Sequence, residues 1–231
     1  VETFLDPDPG FIPVFGRDHL VFVLGLLVVA TALVAGRGWL REHATVVRRV
    51  VFGVLLVQQV ALYGFYAATG WLWAESLPVH ISRISTILAL VYLATGSRRV
   101  MDVLFFFGLW AWASFTYPQN VQPPTNLLGV SFWVNHVATL LMPFFAVLTT
   151  RWRPTARALW RAYGWFLVYV ALAVAVNALT GGNYFYQREK PLLPMVPQPW
   201  YLLLSLLAAL ALFWLGYAVA RLVLRRLDSR G

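Results

Sequence analysis

The chain contains no cysteine. Disulfides, thiolate metal ligands and a cysteine nucleophile are therefore excluded. Charge is scarce as well: Asp, Glu, Lys and Arg make up 12% of the 231 residues, about half of what a soluble domain carries. The acidic sign is the scarcer, with 9 residues against 18 Lys plus Arg. A net charge of +9 suggests nucleic acid at first sight. The basic residues, however, flank apolar runs and build no basic face interleaved with aromatics, so nucleic acid is not an expected partner. No internal repeat is visible, which leaves an inverted-repeat transporter without direct support. The opening stretch VETFLDPDPGFIPVFGR lacks the basic n-region and small-residue cleavage site of a secretory signal, so the first apolar run reads as a retained helix.

What fills the chain instead is hydrophobic: 60% of all residues, with 16% aromatic. These residues lie in long runs, the pattern of transmembrane helices rather than of a large soluble core. The expected fold is all-α. It is a polytopic integral membrane protein with residues 1–231 forming one bundle of seven transmembrane helices. Breaks and charges place these near 18–35, 50–68, 77–95, 100–116, 131–149, 162–180 and 199–220. The fourth is the shortest. Lys and Arg then set the orientation. The first-to-second connection carries Arg37, Arg41, Arg48 and Arg49, and the third-to-fourth carries Arg98 and Arg99. The fifth-to-sixth carries Arg151, Arg153, Arg157 and Arg161, and the tail carries Arg221, Arg225, Arg226 and Arg230. Only Arg17, Arg188 and Lys190 fall on the opposite side, with Arg83 inside a span. The positive-inside rule puts the amino terminus outside and the carboxyl terminus in the cytoplasm, which an odd number of spans requires. Topology and anionic lipid account for the basic clusters without a ligand. The expected setting is the cell membrane, multi-pass, with membrane lipids as partners and no cofactor.

Orientation converts position into depth, at about 1.5 Å per helical residue. His19 stands at the outer end of the first span. His80 and Arg83 fall one to two turns below the outer end of the third, and Asn135 and His136 about as deep on the fifth. Asn177 is near the outer end of the sixth, and His43 lies in a cytoplasmic loop and reads as solvated. Ionisable groups inside a membrane are costly and usually mark function. On an ideal third helix His80 and Arg83 share one face, with Ser82 and Thr86 nearly opposite. On the fifth, His136, Thr139, Leu140 and Pro143 form a stripe, and Pro143 frees the carbonyl of Thr139.

Plainer readings exist for each: His19 as an interfacial cap, Arg83 as a snorkelling side chain, and His136 as a structural hydrogen-bonding group. Gln58 and Gln59, mid-membrane, read as interhelical hydrogen-bond partners. The 11 tryptophans, among them Trp71, Trp73 and Trp200, read mostly as an interfacial belt. Two outer loops, 117–129 and 181–200, are long enough to cover a site. In the second, Gly181 and Gly182 suit a helix C-cap, while Asn183, Tyr184, Arg188 and Lys190 offer polar groups near lipid head groups.

The segments VFGRDHL, LPVHIS, NHVATLLMP and GGNYFYQREKP…PQPWY occur in the order seen in the bacterial YwaF-like integral membrane proteins, which the chain resembles over nearly its whole length. The pattern is more distantly similar to the eukaryotic transmembrane protein 164 family, and more remotely to membrane threonine/histidine lipid hydrolases. The transmembrane protein 164 resemblance implies phospholipid acyltransferase activity with a cysteine nucleophile and a histidine. It matches the histidine of the fifth helix to His136 and the histidine after the proline of the third to His80. The residue before that second histidine, where the acyltransferases carry cysteine, is Val79. Where bacterial relatives show HLCD this chain has HISR, which puts Ser82 and Arg83 at the last two positions.

Three functions fit these residues. The first is an acyltransferase or hydrolase working on phospholipid-type substrates at the outer leaflet. His136 would be general base, with Asn135 orienting it, and His80 and Arg83 would stabilise an oxyanion or bind phosphate. Ser82 is the leading nucleophile candidate, backed by Ser85, Thr86 and Thr139. Asn135, His19, Asn183 and Tyr184 would complete the substrate contacts. The second is a non-enzymatic transporter or binder of a small anion or lipid, received by Arg83 and the histidines. The third is a metal site of His19, His80 and His136, although no HxxxH or HxxE spacing supports it.

Overall fold

Every regular element among the described residues of the computed structural model, 3–229, is helical. Arg230, counted above in the basic tail, lies outside them. The elements are α1 (Arg17–Ala35), α2 (Arg37–Glu42), α3 (Ala44–Thr69), α4 (Ile81–Thr95), α5 (Arg98–Gly108), α6 (Trp110–Thr116), α7 (Leu127–Thr150), α8 (Ala156–Thr180) and α9 (Trp200–Asp228), with a 3-10 turn at Tyr184–Tyr186 before α9. Their starts follow local chemistry. The side chains of Ser97, Asn126 and Thr155 accept hydrogen bonds from Val100, Leu128 and Ala158 N–H, as N-caps do. Gly96 and Gly181 close α4 and α8 in the left-handed region, at φ 70° and 75°, where glycine carries no Cβ penalty.

Five helices, α1, α3, α7, α8 and α9, are long and apolar enough to cross a bilayer. The two remaining expected spans differ from the sequence reading. The 77–95 segment becomes helical only at Ile81. Pro78 disfavours helical backbone at Leu77, and His80 is the extended N-cap (ψ 137°), not a residue one to two turns down. The 100–116 segment is broken: α5 ends at Gly108, and α6 restarts at Trp110 after a tight turn in which Leu109 N–H bonds to Phe106 O. At 15 residues α4 spans only about 22 Å, short of a hydrocarbon core of about 30 Å. The short and broken helices are the inner ones. α5 packs against α4, α7 and α8 together, so protein rather than lipid surrounds the interrupted backbone. The long helices overrun their apolar stretches at the basic ends. Hydropathy marks the hydrocarbon, whereas arginine continues a helix well beyond it.

Three clusters form the interior. Phe107, Phe166, Tyr169 and Phe213 pack α5 and α8 against α9. Leu55, Tyr92, Met101, Leu104 and Met142 join α3, α4, α5 and α7. Phe22, Leu26, Phe115 and Val137 join α1, α6 and α7, where Trp133 Nε1 donates to Phe22 O at 3.0 Å. At the basic end Asp102 accepts from Trp152 Nε1 (2.9 Å) and pairs with Arg161 (2.8 Å). Arg48 donates to Leu93 O and Arg98 to Thr150 O, so part of the positive charge also ties helix ends together.

The α5 break sits beside the Pro143 region of α7. A Cβ on Gly108 would stand 2.8 Å from Thr139 Cγ2 and 3.3 Å from Thr139 O, the carbonyl that Pro143 leaves without its helical partner. Gly108→Val is therefore expected to force the two helices apart and cost about 1–3 kcal/mol. Thermal unfolding in detergent checks this against Gly164→Ala, where a Cβ meets nothing within 4 Å. Equal melting of the two variants would show that the contact is slack.

Candidate functional site

Asn135 on α7 gathers three helices. Its Oδ1 accepts from Gln59 Nε2 of α3 (3.2 Å) and from Thr86 Oγ1 of α4 (3.1 Å). Gln59 Nε2 also donates to Gln58 Oε1 at 2.7 Å. Thr86 Oγ1 lies 3.0 Å from Ser82 O and shares its single proton between the two acceptors. All four side chains are buried. Amides in an apolar interior need such partners, and the pairing fixes α3, α4 and α7 at one level.

The next residue, His136, is 5% exposed, and its ring lies 4.1 Å from that of Phe132. Nδ1 is 2.7 Å from Phe132 O. A carbonyl only accepts, so Nδ1 carries the proton and Nε2 keeps a lone pair. Among the described residues none bonds to Nε2. Ser82, in the first turn of α4, is half-buried, and its hydroxyl likewise has no partner among the described residues. The Thr86–Asn135 bond ties α4 to α7 one turn along from Ser82 and at the residue before His136. Ser85 and Thr139 instead donate back to the carbonyls of Ile81 and Asn135 in their own helices.

A second polar cluster builds the loops before α4 and before α9. The guanidinium of Arg83 donates to Glu75 O (2.6 Å), Leu77 O (2.9 Å) and Tyr66 Oη (2.6 Å), and stacks 5.0 Å over the Tyr66 ring. Tyr184, fully buried, donates from Oη to Trp73 O (2.9 Å) and accepts from Leu77 N–H (3.2 Å). Burial pushes its phenol pKa up, against the opposing pull of the Leu77 N–H, so it stays a donor. Asn177 receives Tyr184 N–H on Oδ1 (2.7 Å) and donates from Nδ2 to Tyr184 O (2.8 Å). The His80 ring packs 4.7 Å from that of Tyr184. The segment 73–77 is thus gripped from α4 and from the 181–200 loop at once.

The other expected contact residues also hold backbone. His19 accepts from Phe15 N–H on Nδ1 (2.9 Å) and donates from Nε2 to Phe115 O (2.7 Å), which occupies both ring nitrogens. Asn183 accepts from Arg188 and Glu189 N–H and donates to Glu189 O. No group of three His, Asp or Glu among the described residues could hold a metal ion, which corrects the three-histidine reading. The structure adds Asn126 and gives Gln59 its partner, Asn135. Asn126 caps α7 and donates to Thr3 O and Asp6 O, latching the amino-terminal segment in place. The N-cap rule applied to PPTNLLG would have found it.

The TMEM164 family model matches residues 14–217, from just before α1 well into α9. The chain belongs to the TMEM164 family. Family membership and five bilayer-length apolar helices together make it a multi-pass membrane protein. In this family member the matched stretch includes the Asn135, Gln59 and Thr86 tie, the candidate residues Ser82 and His136, and the Arg83, Asn177 and Tyr184 cluster. No curated protein and no solved structure gives a significant match to the chain.

Proposed function

We propose that this TMEM164-family chain carries out acyl chemistry on membrane lipids, as a transferase or hydrolase, with His136 as general base and Ser82 as nucleophile. The reading includes one seven-span bundle of the cell membrane, with the amino terminus outside and the carboxyl terminus cytoplasmic, and a place in the bacterial YwaF-like branch. The observation that carries it is the Nε2 of His136, unbonded among the described residues and held in its tautomer by Phe132 O, beside Asn135, whose bond to Thr86 ties α7 to α4 one turn from Ser82. In this scheme Nε2 takes the Ser82 hydroxyl proton while Oγ forms a bond to the ester carbonyl carbon. The ester C–O bond then breaks, and the same proton passes to the departing alkoxide. Water or a second lipid hydroxyl then takes the acyl group from Ser82. Asn135 and Thr86 keep the two turns in register. Arg83 and His80 shape the mouth, Arg83 with the donors left over from Glu75, Leu77 and Tyr66.

A fluorophosphonate that mimics the ester tests the nucleophile. Purified protein should label at Ser82 on peptide mapping, and Ser82→Ala should lose the label while keeping its melting temperature. Label that persists on Thr86 or elsewhere in Ser82→Ala removes Ser82 from the role.

A further inference from the structure

Beside the first turns of α7, the lipid-facing side of α3 borders a groove of about 570 Å³, walled by Val54 and Val57 and, across from them, Val130 and Val134. Three features distinguish it from ordinary bilayer-facing surface. Gln58, 8% exposed, lines it with a buried Nε2 that bonds to none of the described residues, although its Oε1 accepts from Gln59. Arg49 also lines it, with a guanidinium bonded to none of the described residues, whereas its neighbour Arg48 is committed to Leu93 O. Gly53 stands between them, and a Cβ there would meet nothing within 4 Å.

A free cation, an apolar trough and an unsatisfied amide donor thus follow one another along a single helix. The two polar ends are nine residues apart, about 13 Å along the axis. An arginine side chain reaching along the helix brings a phosphate within a glycerol's length of Gln58. An isolated N–H donor in hydrocarbon is costly unless something accepts from it. In a membrane the abundant acceptor attached to an acyl chain and an anion is a phospholipid ester.

We propose that the α3/α7 groove binds one anionic phospholipid of the bilayer. Its phosphate pairs with Arg49, its glycerol lies over Gly53, an ester carbonyl accepts from Gln58 Nε2, and the acyl chain continues between Val57 and Val134. Gln58 connects to Asn135 through Gln59, and the groove's lipid is a bound component whose presence does not depend on chemistry at His136.

The full chain in detergent is titrated with phosphatidylglycerol, with diacylglycerol of the same chains, or with inorganic phosphate. Melting temperature and native mass spectrometry are read together. Phosphatidylglycerol should stabilise saturably as one bound molecule, with neither of the other two matching it. Gly53→Leu, which fills the trough without a clash, and Arg49→Gln and Gln58→Leu should each weaken binding by roughly tenfold or more. Gly64→Leu, an open position elsewhere on α3, should leave it unchanged. Undiminished binding by Gly53→Leu overturns the proposal. So does equal stabilisation by phosphate alone, or a loss in Gly64→Leu as large as in Gly53→Leu. None of these readouts uses turnover, so the acyl chemistry can fail while the lipid site stands, or the reverse.

Discussion

Replacing His136 by glutamine should reduce acyl release or transfer from phospholipid in mixed micelles by about 10²–10⁴-fold, the range expected for loss of a positioned general base. The fold should survive the change. His136 Nδ1 bonds to Phe132 O, the carbonyl four residues back in the same helix, so removing the ring strands no backbone group. The α3–α4–α7 tie runs through Asn135 and is untouched. Turnover and melting temperature measured on one preparation separate the two effects. A large drop in rate with little change in melting assigns chemistry to Nε2. Unchanged turnover ends the proposal for His136, and a collapse of both would make the ring a packing element against Phe132 and Phe115.

Asn177→Leu is expected to be the most damaging of the stability changes, at about 2–5 kcal/mol. The side chain satisfies both the N–H and the C=O of Tyr184, and both are buried. Leucine matches the volume but strands the pair, and each stranded backbone group costs about 1–3 kcal/mol. A chain of this size should lose roughly 5–15 °C in melting temperature. Tyr184→Phe should cost less, about 1–3 kcal/mol. It keeps the ring against His80 and loses only the Oη bonds to Trp73 and Leu77. Limited proteolysis adds a local readout, because both variants should expose the 73–77 segment. If Asn177→Leu melts like the unsubstituted protein, the clamp over the 73–77 and 181–200 segments carries no stability.

Both predictions turn on which polar atoms are already bonded, and here the residue pattern and the folded chain divide the information. The sequence marks Arg83, His19, Asn183 and Tyr184 as costly polar groups near a membrane surface. It does not say that Arg83 faces the carbonyls of Glu75 and Leu77, or that Phe15 and Phe115 take both nitrogens of His19. Conversely, the two glutamines on α3 read as helix-to-helix partners. Gln59 is one, to Asn135, while Gln58 keeps an Nε2 with no partner among the described residues beside the α3/α7 groove.

What the sequence determined alone is whatever acts over a few residues or one hydrocarbon thickness. The long apolar runs gave five bilayer-length helices, since lipid forces every backbone group to bond within its own segment. Ser97, Thr155 and Gly181 cap helices through bonds reaching three or four positions along the chain. The tertiary structure decided the inner helices and the site. α4 could be short and the α5–α6 segment broken at Leu109 because neighbours replaced the bilayer around them. It also decided that, among the described residues, His136 keeps an open nitrogen while Arg83 is largely committed to Glu75 O, Leu77 O and Tyr66 Oη. Those facts depend on contacts between residues far apart in sequence, such as Gln59 with Asn135 and Trp73 with Tyr184, whose geometry is set by packing and has no local signature.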